Sequence, residues 1–214
     1  MCSIEEALSG KGLPGCQKIM CHLIFDVKID FTRKAKFVAG GHFTDPPESI
    51  TYCSVVSMET VHIAFLIAAL NDLEFCAAYI GNAFLNAECK EIIWVKAGKE
   101  FGANEGKPMI IVNALYGLKS SGAAWGNLLS SSIKQMGFAS SKANPLICIT
   151  VRRSRRTGRS ITSTFLYMLA IFICLLEDTK LVMNEIGELY RFNKGLAKCI
   201  KNTPTTTRNI SLQI

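Results

Sequence analysis

The chain has 214 residues, 49% of them apolar, with 24 Lys and Arg against 17 Asp and Glu and a formal net charge of +7. That is enough to bury the core of one substantial domain, or of two small ones sharing an interface, and the basic surplus favours an anionic partner such as nucleic acid. Its nine cysteines form no C-x-x-C pair and no Cys/His quartet, which excludes a zinc site of the usual spacing.

The start "MCSIEEALSG" carries acids where a secretory signal would have its apolar core. Reduced, mostly buried thiols in an intracellular protein, cytoplasmic or nuclear, are therefore expected. Residues 1–21 are small, Gly-rich and weakly patterned, and read as a loose lead-in. "HLIFDVKID" and "KAKFVAGG" alternate apolar with polar residues around a charged turn and predict two antiparallel strands. The paired prolines of "TDPPESITY" exclude helix and remove ladder donors, so a loop follows.

Ser57 is placed to cap a helix over "METVHIAFLIAALNDL", with Val61, Phe65, Ala68 and Ala69 at helical spacing and an end near Asn71. "EFCAAYI" and "EIIWVKA" predict short strands on either side of "GNAFLNAECK", a turn or single helical turn. "MIIVNALYGL" begins as a strand and breaks at Gly117; "SSGAAWGNLLSSSIKQMGF" is a helix capped by Ser120 or Ser121 and stopped by Gly137. "PLICITVRR" and "SITSTFLYM" flank "SRRTGR" as a hairpin with Gly at its tip. "DTKLVMNEIGELYRF" predicts a last helix, with Asp178 as N-cap and Leu181, Ile186 and Leu189 on one side. Residues 195–214 read as a divergent, frayed tail. His22, His42 and His62 are twenty residues apart and suggest no shared site.

Charge is unevenly spread. From Gly106 to Leu176 there is no Asp or Glu, while Lys107, Lys119, Lys134, Lys142, Arg152, Arg153, Arg155, Arg156 and Arg159 fall inside that run. Within it, "TFLYMLAIFICLL" is uncharged from Thr164 to Leu176, 13 residues. A bilayer-spanning helix needs roughly 20. Its aromatic and β-branched content favours buried strands, so no membrane association is expected.

Four blocks, "TRKAKFVAGGHFTDPPESITYCSVVS", "IGNAFLNA", "ALYGLKSSGAAW" and "IGELYRF", give the chain a specific likeness. In that order and at about that spacing, they resemble the reverse transcriptase domain of Ty1/copia-type retrotransposon polyproteins. The resemblance implies an α+β fold, the fingers and palm of a polymerase right hand over residues 22–194, with an antiparallel sheet backed by helices and the thumb lacking. It also implies RNA-directed DNA polymerase chemistry, nucleotidyl transfer by two Mg²⁺ ions held by three carboxylates. Hard Mg²⁺ takes oxygen ligands, and two cations about 4 Å apart need their charge offset.

Carried over position by position, those carboxylates are replaced. The first family Asp directly precedes "IGNAFLNA", and here that residue is Tyr79. Counted back from "IGELY", the Tyr-Val-Asp-Asp turn falls on Met168, Leu169, Ala170 and Ile171. Glu177 and Asp178 lie six or more residues past the turn, and Glu74 precedes Tyr79 by five, an odd offset that puts it on the opposite strand face. No metal or other cofactor is therefore expected, in contrast to Mg²⁺ in intact family members. The resemblance also marks nucleotide-binding candidates: Lys34 and Lys36 in the fingers block, Lys36 where Arg is usual, and Phe84 at the aromatic under the incoming sugar. Ser120 replaces the family's common Gln. The expectation is an inactive polymerase remnant; the alternative is a non-catalytic module binding RNA or DNA through its basic surface, with no evident protein partner.

Overall fold

The computed structural model describes residues 16–70, 73–142, 147–153, 160–167, 171–176, 179–192 and 198–200. In chain order the strands are β1 (Gln17–Ile19), β2 (Cys21–Val27), β3 (Arg33–Ala39), β4 (Glu74–Tyr79), β5 (Ile93–Lys96), β6 (Pro108–Ile110), β7 (Ala139–Ser140), β8 (Ile147–Arg153), β9 (Ser160–Tyr167), β10 (Ile171–Leu176) and β11 (Lys198–Ile200). The helices are α1 (Met58–Leu70), α2 (Ser121–Gln135) and α3 (Thr179–Leu189). The fold class is α+β. Two compact units divide it, each made from two separated stretches: Met1–Cys53 with Asn82–Leu128, and Ser54–Gly81 with Leu129–Ile214.

The first unit holds two small sheets. β2 and β3 form the expected antiparallel hairpin, with Asp26 opposite Lys34 and Ile24 opposite Lys36. Its turn is tight: Phe31, at φ 61°, donates its N–H to the Lys28 carbonyl at 2.9 Å. A three-stranded sheet runs β1-β5-β6, β1 parallel and β6 antiparallel to β5. Here the expected lead-in is corrected in part. Residues 17–19 pair with 93–95, and Ile19 enters the core with Ala39, Ile93, Val95, Ile111 and Leu118. That apolar contact outweighs the weak local pattern.

The second unit is built on a six-stranded antiparallel sheet, order β11-β4-β10-β9-β8-β7. β8–β9 and β9–β10 are successive hairpins, so "TFLYMLAIFICLL" supplies the end of one strand and the whole of the next. α3 packs against β4 and β10. Its buried face is Val182, Met183, Ile186 and Tyr190, while Leu189 is 54% exposed, not core as its spacing suggested. Tyr190 takes that place because its hydroxyl also finds Ser132 at 2.6 Å. In α1 the buried stripe is Val61, Ala64 and Ala68, not Phe65 and Ala69: small residues at i, i+3 and i+7 let the helix approach closely. Ser57 caps it as expected, accepting the Thr60 N–H at 3.3 Å.

Lys198–Ile200 pair with β4, so part of the expected tail is an edge strand. Cys76 is disulfide-bonded and fully buried, against the expectation of reduced thiols; Cys16, Cys21, Cys53 and Cys89 are half-buried and in no disulfide. Among the described residues no helix is long and apolar enough to cross a membrane. Met168, Leu169, Ala170, Glu177, Asp178, the "SRRTGR" tip from 154 to 159 and the chain beyond 200 lie outside the described residues.

Candidate functional site

β4 and β10 run antiparallel along their whole length, from Glu74 opposite Leu176 to Tyr79 opposite Ile171. Directly opposed residues share a sheet face and keep their Cα atoms about 4.5–5.5 Å apart. Two of the three positions singled out from sequence, 79 and 171, are therefore neighbours across one ladder rung. The third, Ala170, precedes β10 in the connection from β9 and lies outside the described residues.

The sheet's two faces are unequal here. Cys76, Ala78 and Ile80 alternate at 0–1% exposure, whereas Ala77 and Tyr79 are half-buried. Tyr79 thus sits on the more open face. Glu74 is five residues away at the far end of the strand, opposite Leu176. Beyond β4 the chain is pinned by Ile80 bridging Phe192 and by the Gly81 N–H donating to the Arg191 carbonyl at 3.0 Å. Among the described residues no group of three His, Cys, Asp or Glu side chains is arranged to hold a metal ion.

The nucleotide-binding candidates belong to the first unit. On β3, Lys34 and Lys36 share a face with Val38, which bridges Tyr116 in parallel; Ala39 donates its N–H to the Tyr116 carbonyl at 2.8 Å. Lys36 Nζ stands 4.8 Å from the centroid of the Tyr116 ring. Phe84, in the 3-10 turn Ala83–Asn86, lies against the same ring, centroids 4.8 Å apart and tilted by 44°. The structure thus joins Lys36 and Phe84 through Tyr116, which the sequence reading did not single out. Its signal was an aromatic residue just before Gly117 in a recognised block.

Gly117 is needed there. Its φ is +96°, and a Cβ would run into the Ala39 carbonyl oxygen.

Ser120 and Ser121 do not simply cap α2. The buried Ser120 hydroxyl donates to Glu91 Oε2 at 2.7 Å, and the Ser121 hydroxyl to the Leu115 carbonyl at 2.6 Å. Glu91 also accepts the Ser49 hydroxyl at 3.1 Å. Burial works against the Glu91 charge, but hydrogen bonds from Ser120, its own backbone, Ser49 and Cys89 outweigh it and hold its pKa below the usual range.

Against known proteins, a sequence profile described as reverse transcriptase (RNA-dependent DNA polymerase) matches residues 14–199. The chain is 37% identical over 140 residues, 63% of its length, to the Transposon Ty1-LR2 and Ty1-ML2 Gag-Pol polyproteins of Saccharomyces cerevisiae. The chain belongs to the Ty1/copia-type reverse transcriptases. The Ty1-BL Gag-Pol polyprotein of the same yeast matches at 37% over 121 residues, 54% of the chain. This reverse transcriptase domain spans only 7–8% of the length of those curated relatives. Its family match starts before residue 22 and runs past 194, taking in β1 and most of β11.

Proposed function

We propose that this domain is a fingers-and-palm remnant of a copia-type polymerase in which Tyr79, Ala170 and Ile171 occupy the three metal-binding carboxylate positions, leaving it unable to carry out nucleotidyl transfer. The observation that carries this reading is the rung between Tyr79 and Ile171. Two positions picked independently, one from "IGNAFLNA" and one by counting back from "IGELY", meet across adjacent strands, as a shared metal site requires.

The residues present do not fit Mg²⁺. A phenol and a branched hydrocarbon supply no carboxylate oxygen, and a neutral tyrosine does not offset cationic charge. Loss of the ligands removes binding instead of weakening it. The test is primer extension on an RNA template with Mg²⁺ or Mn²⁺: incorporation no greater than a heat-killed control is expected, and template-directed extension above it would overturn the proposal.

A second reading is a non-catalytic module for RNA, DNA or their hybrid. The Lys36–Tyr116–Phe84 stack favours it, since a cation beside two aromatic faces suits phosphate and base together. Hybrid affinity across a salt series tests it. A log–log slope near zero would rule it out.

A further inference from the structure

The hairpin of β2 and β3 is a sheet of two strands, and among the described residues no strand lies along the outer edge of β2. At the two ends of the hairpin the Met20 carbonyl accepts the Gly40 N–H at 2.8 Å, and Lys28 donates its N–H to the Thr32 carbonyl at 3.0 Å. Ladder bonds of an antiparallel pair fall on every second residue, so His22, Ile24 and Asp26 turn their backbone groups toward β3. Those of Cys21, Leu23, Phe25 and Val27 turn outward. The same parity shows on β3, where Ala39, opposite Cys21, sends its N–H outward to the Tyr116 carbonyl. On the β2 edge the Val27 N–H is answered only by its neighbour, Asp26 Oδ1, at 2.8 Å.

Bare edges add strands from other chains unless charges, prolines or bulges protect them. β2 has little such protection. Its sequence, CHLIFDV, holds one acid and no proline, and Ile24, Phe25 and Val27 are 45%, 75% and 61% exposed. The outer edge of β3 is different. Tyr116 engages it at Val38 and Ala39, and its Arg33, Lys34 and Lys36 come with no acid, so a second β3 would meet like charge.

We infer that β2 pairs with β2 of a second copy of this chain, antiparallel about a two-fold axis at Ile24, to give a four-stranded sheet in the order β3-β2-β2-β3. In this register Leu23 meets Phe25 of the second copy and Cys21 meets its Val27. These are the residues whose backbone groups point outward, so the opposed pairs can exchange N–H···O=C bonds, each pair occurring twice by symmetry. Leu23 and Phe25 of both copies then form one apolar cluster on one face of the sheet. On the other face Ile24 meets Ile24 of the second copy, and the exposed Asp26 meets the exposed His22, acid against imidazole. Centring the pair on Leu23 would set Asp26 against Met20, and centring it on Phe25 would set Asp26 against Ile24. Of these three registers, the one about Ile24 gives the acid a partner.

Two-fold closure uses up both β2 edges, so association stops at the dimer. A single strand edge buries less than the roughly 800 Å² per partner of a standard interface, which makes the dimer weak and concentration-dependent.

The experiment is sedimentation equilibrium of the full chain over a range of concentrations. The average mass is expected to rise from 23.5 kDa toward twice that value. F25P removes an outward N–H and spares the bonds to β3, so it should stay monomeric with the circular dichroism of wild type. H22D opposes two acids and should raise the dissociation constant about tenfold, and H22D/D26H should restore it. On mild oxidation, I24C should join two chains through the introduced thiols, since Cα atoms facing each other on the axis are about 4.5 Å apart, within disulfide reach. A monomer at every concentration, or a dimer that F25P leaves intact, would overturn the inference. If F25P does not fold, the I24C cross-link decides, and its absence overturns the inference.

Discussion

Tyr79 on β4 lies directly opposite Ile171 on β10. Strand alternation puts the half-buried Tyr79 on the more open face of the sheet. On the proposed reading, carboxylates clustered here without a metal would repel one another and carry a desolvation cost, so uncharged residues at these positions suit a stable sheet.

Restoring acids at the three positions should restore metal affinity before it restores activity. The Y79D/A170D/I171D variant is expected to bind Mn²⁺ by calorimetry where wild type gives no heat of binding, because opposed carboxylates share the cation. It should also lose stability without metal. An unchanged titration would show that these positions do not converge on one site.

Tyr116 bridges two of the sequence-derived candidates, so its removal should do more than the loss of either alone. Y116A is expected to destabilise the chain by about 2–4 kcal/mol in urea denaturation, from lost ring packing on Phe84 and the lost Lys36 contact. If the basic hairpin holds nucleic acid, K36Q lowers the magnitude of the salt slope by about one.

Gly117 carries the junction between β3 and the segment leading to α2. G117A combines a left-handed φ with a collision against the Ala39 carbonyl, so a loss of at least about 2 kcal/mol is expected by thermal or urea denaturation. Gly137 also has positive φ, 87°, but meets nothing within 4 Å. G137A should cost only about 1 kcal/mol.

Glu91 gives a pH signature. Its pKa is lowered on folding, so the native state favours the charged carboxylate. Its contribution to stability is full above the unfolded value and is lost as pH falls through the folded one. Wild type should therefore lose stability in that acidic window, whereas E91Q starts lower at neutral pH and falls less. Equal pH dependence in the two proteins would contradict the role assigned to the Ser120 and Ser49 hydrogen bonds.

Much of this fold was legible in the sequence because local and global preferences agree. The β2–β3 hairpin, α1 with its Ser57 cap, α2 stopped at Gly137 and the β8–β9 hairpin all follow from period, caps and turn residues. What was not legible depends on distant partners. β1 is a strand because residues 93–95 lie beside it, and β11 because 75–77 do. Leu189 and Tyr190 exchanged places because a hydroxyl partner on α2 decided between two apolar residues. At the candidate site, motifs single out positions 79, 170, 171, 34, 36 and 84. Tyr116 needed the fold, since nothing local says which rings will meet.

The claim that the metal ligands are gone is tested most directly by titrating Mn²⁺ into the full chain and following free Mn²⁺ by electron paramagnetic resonance, with Y79D/A170D/I171D alongside. The wild-type signal should rise in step with added metal, as in buffer alone, and the triple variant should hold the signal back. Stoichiometric uptake of Mn²⁺ by the wild-type chain, lost on chelation and displaced by Mg²⁺, would contradict it.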